Sequence, residues 1–189
     1  TKAAAAIVGN LGKWFPQTKS HRLWCDVSQF HTVIQKGCWP LSPYSTWILY
    51  YLSAAGKHLQ ERSAIAILGE VFDRFSKFLL LEERFFSITP AQLWSDALQQ
   101  ELLNAEESGQ RGAITHSYAS VIARHGDSLS EQSIYILRAV VLASKLGLQV
   151  VSRAEATRAL AELAGLSESE TDQGLTDLDR RSPSTRSRS

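Results

Sequence analysis

The chain has 189 residues, of which 44% are hydrophobic and 21% charged, and its formal net charge is +1. This composition excludes disorder throughout, because the chain holds enough apolar residues for one sizeable core. The charge is uneven: residues 1–60 carry six Lys or Arg against Asp26 alone, a net of +5, which leaves −4 for the other 129 residues. We expect the basic part to meet an acidic body, a neighbouring subunit or a polyanion.

The cysteine count and the hydropathy of the chain indicate its cellular location. Only Cys25 and Cys38 are present, which is too few for a secreted scaffold held by disulfides. No apolar run approaches the roughly 20 residues that a membrane helix needs. We therefore expect a protein of the cytoplasm, the nucleus or a virion interior, with no membrane partner.

Residues 1–42 form the basic segment, which we expect to be irregular and rich in tryptophan. Flat rings beside cations suit single-stranded nucleic acid, where each stacked base is worth about 1–3 kcal/mol. The same rings suit a protein interface, or they pack the segment onto the rest of the chain. We predict nucleic-acid contacts at Lys13, Lys19, Arg22 and Lys36, and interface contacts at Trp14, Trp24, Trp39, Tyr44 and Trp47.

The same segment holds four zinc-capable side chains within eighteen residues, His21, Cys25, His31 and Cys38. Structural zinc sites favour ligand pairs about two to five residues apart, and only His21 and Cys25 approach that spacing. We therefore expect no metal. No spacing in the chain supports a Ser-His-Asp or Cys-His site, and no Gly-rich loop precedes a helix, so we expect no enzyme and no cofactor.

Helix starts are marked by Ser or Thr residues that can cap free backbone N–H groups, followed three positions later by Glu or Gln. Such capping boxes occur at Thr89–Gln92, Ser128–Glu131, Ser152–Glu155 and Ser167–Glu170, and Ser42-Pro43 is a further start. Apolar spacing predicts helices at about 43–55, 62–82, 89–105, 113–124, 129–146, 152–164 and 168–180. The expected fold is all-α, a single bundle of about six to seven helices over residues 43–181.

The middle of the chain resembles the helical core-binding domain of tyrosine recombinases. The similarity covers residues 61–147 and rests on the helix at 61–78, the Ile-Thr-x-x-x-Leu pattern at Ile88–Leu93 and the helix that follows Ser128. It implies a helical fold that clamps DNA. The recombinase catalytic domain is absent, together with its Arg, His-x-x-Arg and Tyr, so no active-site residue is implied.

Residues 152–181 are predicted to form two short helices hinged on Gly165-Leu166, and they resemble the helix-turn-helix of bacterial winged-helix and repressor-type DNA-binding domains. With Leu175 and Leu178 facing inward, the outward face would offer Ser169, Asp172, Gln173, Thr176 and Asp179. The pair has four Arg against seven Asp or Glu, a net of −3, and carboxylates repel phosphates. An ordinary helix pair that closes the core, or a surface for a protein partner, is the alternative.

The C-terminal tail carries Arg180, Arg181, Arg186 and Arg188 among serines, and it is similar to the arginine-serine ends of viral core proteins. Arginine neutralises phosphate, and phosphorylation of the serines would reverse the local charge. Residues 182–189 contain no apolar side chain, so we expect this segment to be disordered. A tail that only improves solubility is the alternative.

These patterns favour a non-enzymatic, all-α protein that associates with DNA or RNA through its basic ends and forms a homo-oligomer or docks through its helical body. A viral capsid or nucleocapsid subunit and a helix-turn-helix regulator both fit. The alternative is a protein-interaction module or assembly subunit that meets no nucleic acid, in which exposed aromatic rings bind a partner.

Overall fold

A computed structural model describes residues 2–55, 61–80, 87–109 and 112–181. Within these ranges the chain is all-α, as the sequence predicts, and its one β-like feature is an isolated parallel bridge between Leu41 and Ile88. The α-helices are α1 (Lys2–Trp14), α2 (Arg22–Cys25), α3 (Val27–Gln29), α4 (Pro43–Tyr50), α5 (Glu61–Leu80), α6 (Asp96–Glu107), α7 (Ile114–His125), α8 (Glu131–Lys145), α9 (Arg153–Ala164) and α10 (Glu168–Arg181). Turns of 3₁₀ helix cover Pro16–Ser20, Pro90–Leu93 and Gly126–Ser128, and π-helical turns cover Phe30–Lys36 and Tyr51–Ala55.

The N-terminal segment is helical over residues 2–36, which corrects the prediction of an irregular segment at 1–42. Ala4, Leu11 and Trp14 lie on the buried side of α1, and their spacing is that of one helix face. Four consecutive alanines at the start of α1 add high helix propensity. These side chains belong to the same hydrophobic cluster as those of the later helices. The segment is therefore part of the core, and it raises the helix count above the predicted number.

Three predicted helix starts are confirmed by their caps. The Ser42 Oγ accepts a hydrogen bond at 3.1 Å from the backbone N–H three residues on, at the start of α4. The Ser152 Oγ does the same at 3.2 Å for α9. At α10 the capping box is reciprocal, because the Ser167 Oγ accepts from the Glu170 N–H at 3.2 Å and the Glu170 carboxylate accepts from the Ser167 N–H at 2.8 Å.

Two other predicted starts differ from the structure, because a serine further along the chain caps the α-helix. The capping box at Thr89 forms as predicted, with the Thr89 N–H donating to the Gln92 side-chain oxygen at 2.9 Å. It begins only the 3₁₀ turn Pro90–Leu93, and α6 starts at Ser95, whose Oγ accepts from a backbone N–H at 3.1 Å. Similarly, α8 starts at Ser130. The Ser128 hydroxyl donates instead to a carbonyl of the preceding turn. A local capping pattern does not decide between two neighbouring hydroxyl residues.

Helices α8, α9 and α10 pack against one another and hold the helix pair on the body of the bundle. The chain turns after α9 at Gly165, whose φ of +74° lies in the left-handed region, where glycine has no Cβ penalty. A Cβ at Gly165 would also lie 2.5 Å from the Thr89 side chain. On α10, Gly174 allows the Ile136 side chain of α8 to approach the backbone.

Two predictions concern the ends of the described ranges. The helix predicted at about 62–82 corresponds to α5, and its last two residues lie outside the described part of the chain. The predicted disordered tail, residues 182–189, lies outside it entirely. No described helix combines the length and the hydropathy needed to cross a membrane.

Candidate nucleic-acid interface

Four exposed cations of the N-terminal helices, all predicted to contact nucleic acid, are called here the basic face. Lys13 ends α1, Lys19 lies in the first 3₁₀ turn, Arg22 begins α2, and Lys36 ends the first π-helical turn. All four side chains are exposed. In the part of the chain that the structure describes, none of these four side chains forms an ion pair with a carboxylate. The four residues predicted to contact nucleic acid are thus open to an external anion.

Asp26 is the one carboxylate in residues 1–60, and it is engaged elsewhere. Its Oδ1 accepts hydrogen bonds from the backbone N–H groups of Ser28 and Gln29 at 2.9 and 3.0 Å and so caps α3. The side-chain amide of Gln29 lies 2.9 and 3.1 Å from two guanidinium nitrogens of Arg22, so that its oxygen can accept from both. This contact orients Arg22 and leaves its positive charge in place.

Lys13 and Lys19 line two adjoining grooves at the end of α1. The smaller groove has a volume of about 210 Å³, and the larger, about 780 Å³, continues along residues 148–151. Gly12 borders both grooves, and the Lys19 stem passes close over it, with Cε 3.3 Å from the position a Cβ would take. Two cations therefore flank one concave surface.

Trp39 is the exposed aromatic ring of the basic face, with 51% of its surface accessible. It follows Lys36 by three residues, and its backbone N–H donates to the Lys36 carbonyl at 3.4 Å. A cation and a large ring therefore share one turn of the chain. This combination suits a nucleotide, whose phosphate meets the cation while its base stacks on the ring.

The other four residues predicted at an interface lie in the core, which corrects that prediction. Trp14, Trp24, Tyr44 and Trp47 are each at most 4% exposed. The rings of Trp24 and Trp47 meet edge to face with centroids 5.0 Å apart, and those of Trp14 and Tyr44 lie 5.9 Å apart. Large rings bury the most apolar area when helices pack around them. They hold the N-terminal helices on the body and do not face another molecule.

The zinc-capable side chains of this segment have partners within the chain. The His21 Nδ1 lies 3.2 Å from the Tyr50 hydroxyl, and the His31 Nδ1 lies 2.9 Å from the Gln35 side-chain oxygen. Among the described residues, no three His, Cys, Asp or Glu side chains lie close enough together to hold a metal ion.

The helix pair α9–α10 uses its arginines internally. Leu175 and Leu178 pack against the core, as predicted for the inward face. The Arg153 guanidinium lies 3.8 Å from the Asp172 carboxylate, and an equivalent pair at 3.2 Å joins Arg158 to α10. Because the cations of α9 are matched by carboxylates of α10, the pair offers phosphate little net attraction.

The arginines of the tail are only partly described. The Arg180 guanidinium lies 3.6 Å from the Asp177 carboxylate within α10, and both side chains are exposed. The side chain of Arg181 and the whole of Arg186 and Arg188 lie outside the described residues. Exposed ion pairs contribute little energy, so the contact of Arg180 with its own helix is readily exchanged.

A cavity of about 380 Å³ lies beside the hinge of the helix pair, between the start of α4, the end of α9 and the start of α10. Its lining includes Tyr44, Arg158, Glu162 and Glu168. Burial raises the pKa of the Glu162 carboxyl, and the negative charge of Glu168 raises it further. With two carboxylates against one guanidinium, this cavity does not favour an anion.

Sequence reasoning missed a buried polar cluster around Glu106, whose side chain is 2% exposed. One carboxylate oxygen lies 2.6 Å from the Lys145 Nζ and accepts from the Thr115 N–H at 2.8 Å. The other accepts from the His116 N–H at 3.2 Å and lies 2.8 Å from that residue's Nδ1. The cluster joins α6, α7 and α8.

The charge state of Glu106 follows from these contacts. Burial on its own raises the pKa of this carboxyl, but hydrogen bonds from Lys145, Thr115 and His116 outweigh it and hold the pKa well below its ordinary value. A signal for the cluster exists in the sequence. Ala113 precedes α7 and has no capping oxygen, so the first N–H groups of that helix need an acceptor from another element. Each oxygen of the Glu106 carboxylate has two partners, which points to a structural role.

The basic face thus consists of exposed cations without a described carboxylate partner; two of them line adjoining grooves, and a third lies three residues from an exposed ring. The helix pair and the hinge cavity lack this excess of positive charge. No protein-family model, no curated protein and no solved structure matches this chain.

Proposed function

We propose that this protein is a non-enzymatic, α-helical nucleic-acid-associated protein that binds polyanion through its basic ends and assembles or docks through its helical body. A viral capsid or nucleocapsid subunit and a helix-turn-helix regulator both belong to this class, in the cytoplasm, the nucleus or a virion interior. One observation carries the proposal: Lys13, Lys19, Arg22 and Lys36 are exposed and form no ion pair with a described carboxylate.

Counterion release favours the basic face over the helix pair. A cation that meets a phosphate displaces a condensed counterion, so free lysines and arginines gain the full effect. Arg153 and Arg158 lie beside the carboxylates of Asp172 and Glu168, which would stay close to any bound phosphate. The acidic outward side of α10 would then remain against the phosphates, which weakens readout of a duplex by this helix.

The exposed ring favours a single strand over a duplex. Trp39 can stack on an unpaired base, and stacking tolerates any base because each has a flat face. Lys36 lies three residues away to meet the adjoining phosphate. We therefore expect DNA or RNA to bind with little sequence preference. The tail arginines, including Arg180, would add further phosphate contacts.

The proposal is tested by measuring the affinity for a fluorescent single-stranded oligonucleotide by anisotropy. Replacing Lys13 and Lys19 together by Gln should weaken binding roughly tenfold to a hundredfold at about 50 mM salt, because two phosphate contacts are lost. The matched control replaces two exposed cations on other helices, Lys77 and Arg124, by Gln. Equal losses in the two double variants would mean that net charge alone drives binding and would refute a basic face.

The second candidate function is a protein-interaction module or assembly subunit without nucleic acid. Exposed apolar side chains on α5 favour it, since Ile65 and Phe72 are 74% and 37% exposed and such side chains concentrate at protein contacts. Light scattering over a range of concentrations, with an ultraviolet spectrum of the same particle, separates the two functions. An oligomer that holds no nucleic acid and ignores oligonucleotide at low salt would support this second function.

A further inference from the structure

The outer face of α5 carries an apolar stripe that no described element covers. Ile65, Gly69 and Phe72 recur at intervals of four and three residues and lie on one side of the helix. All three are exposed, and nothing lies within 4 Å of the position a Cβ on Gly69 would take. The helix packs through its opposite side, where Ile67 and Val71 are fully buried.

The charges beside this stripe are mainly acidic. Glu70 and Asp73 are exposed, and neither forms an ion pair with a described cation. The Arg74 guanidinium is turned towards the body, where it donates to the Trp94 carbonyl at 3.0 Å. Lys77 lies near the end of the helix as the remaining described cation. The outer face of α5 is therefore apolar with an acidic border.

The larger groove beside Lys13 and Lys19 has the opposite character. Its wall is the segment 148–151, whose backbone is hydrogen-bonded to the end of α1 at 2.9 Å. Val151 at the end of this wall is 95% exposed. The one carboxylate that lines the groove belongs to Glu155, which already accepts from the Val151 N–H at 2.9 Å. The groove is therefore apolar with a basic border.

We infer that the outer face of α5 of one copy docks into the Lys13–Lys19 groove of a second copy of this chain. Ile65 and Phe72 would cover Val151, while Glu70 and Asp73 would face the two lysines. Both the apolar and the charged parts of the two surfaces are complementary, and opposite charges across an interface fix the register of the partners. The inference rests on the assembly part of the proposed function.

The two surfaces are built by different elements, so the contact is heterologous. The groove is formed by α1, the first 3₁₀ turn, residues 148–151 and the start of α9, whereas α5 packs on α6 and the 3₁₀ turn Pro90–Leu93. A head-to-tail contact leaves one groove and one α5 face free at the ends of any chain of copies. Assembly then grows into a ring or an open filament and does not stop at a symmetric dimer.

Two substitutions at exposed positions separate the halves of the contact. Ile65→Ser removes the apolar stripe and leaves the groove, and Val151→Ser damages the groove and leaves α5. Each should weaken self-association about tenfold or more, the effect of losing one buried aliphatic side chain. Val33→Ser is the control, since Val33 is an exposed apolar residue outside both surfaces. Glu70→Lys tests the charged part of the contact independently, because it places a cation opposite Lys13 and Lys19 and should weaken self-association.

Sedimentation velocity of the full chain at several concentrations gives the outcome. We expect wild type and Val33→Ser to grow beyond a dimer, and each of the two disrupted variants to stay monomeric. A mixture of Ile65→Ser with Val151→Ser should form a dimer that grows no further, because one intact groove meets one intact α5. A monomeric wild type, or a mixture that stays monomeric, would overturn the inference.

Oligonucleotide anisotropy on the same samples separates this inference from the proposed function. Ile65 lies outside the basic face, whereas Val151 lines its larger groove, so Ile65→Ser is the variant for this comparison. The docked α5 covers Lys13 and Lys19, which are also assigned to nucleic acid. Ile65→Ser leaves both lysines uncovered, so it should bind the oligonucleotide at least as tightly as the assembling Val33→Ser control. Loss of assembly with binding retained supports the docking contact, whereas assembly that persists in both variants removes the docking contact and leaves the basic face untouched.

Discussion

Lys145→Met perturbs the buried ion pair that joins α6, α7 and α8. The substitution removes an ammonium group 2.6 Å from a Glu106 oxygen and leaves a carboxylate that is 2% exposed. Removing one partner of a buried pair costs about 3–5 kcal/mol. Because the Thr115 and His116 N–H groups still donate to Glu106, we expect about 3–4 kcal/mol, the lower part of that range.

Urea unfolding followed by circular dichroism measures this cost directly. Thermal unfolding gives a second measure. In a chain of this length each kcal/mol of lost stability lowers Tm by about 2–4 °C, so Tm should fall by about 6–16 °C. The control is Glu107→Gln, which removes an exposed carboxylate 3.7 Å from the other His116 nitrogen. This variant should lie within about 0.5 kcal/mol of wild type. A Lys145→Met variant within about 1 kcal/mol of wild type would refute the reasoning that the pair is buried and coupled.

Acid should weaken the fold through Glu106, whose folded-state pKa is held below its ordinary value of 4.5. This stabilisation is complete above that value and is lost as the pH falls below it, so urea titrations should show a decline that Lys145→Met flattens. Gly165→Ala should cost about 1–3 kcal/mol or more, because φ is positive and a threonine crowds the site. Gly147→Ala, with positive φ but open space, should cost about 1 kcal/mol, and the reverse order in denaturant midpoints would contradict the crowding at Gly165. Arg158→Gln should change stability by less than about 0.5 kcal/mol, because its ion pair is exposed at both ends; a larger loss by the same titration would show that the pair holds α10 in place.

Local chemistry made the C-terminal helices predictable. Ser152 and Ser167 act as caps through contacts three residues apart, and Gly165 ends α9 through its own backbone conformation. Such signals involve neighbours in the chain and are therefore visible in the sequence. Where two hydroxyl residues compete, as Ser128 and Ser130 do, the choice depends on the preceding turn and is not visible locally.

The N-terminal helices were missed because composition outweighed periodicity. Tryptophans and lysines suggested an irregular binding segment, yet Ala4, Leu11 and Trp14 already follow one helix face. Whether a ring such as Trp24 or Trp47 faces a partner or the core depends on which elements pack around it. That is a tertiary property, which the residues within one segment do not determine.

The candidate site was predictable in its charges but not in their pairing. The sequence places Lys13 and Lys19 in a segment with a single carboxylate, which is enough to predict a basic face. It does not reveal that Arg153 and Arg158 of α9 face carboxylates of α10. Long-range contacts of this kind decide which cations remain open to phosphate. Glu106 was missed for the same reason, since its partners lie on two other helices.

The salt dependence of oligonucleotide binding tests the basic face most directly. The four cations of the basic face contribute about −3 to the slope when the logarithm of the binding constant is plotted against that of the salt concentration, and contacts of the tail arginines would steepen it. Replacing Lys13 and Lys19 by Gln should make the slope shallower by about 1.4. A wild-type slope near zero, or an unchanged slope in the variant, would contradict the claim that these open cations bind polyanion.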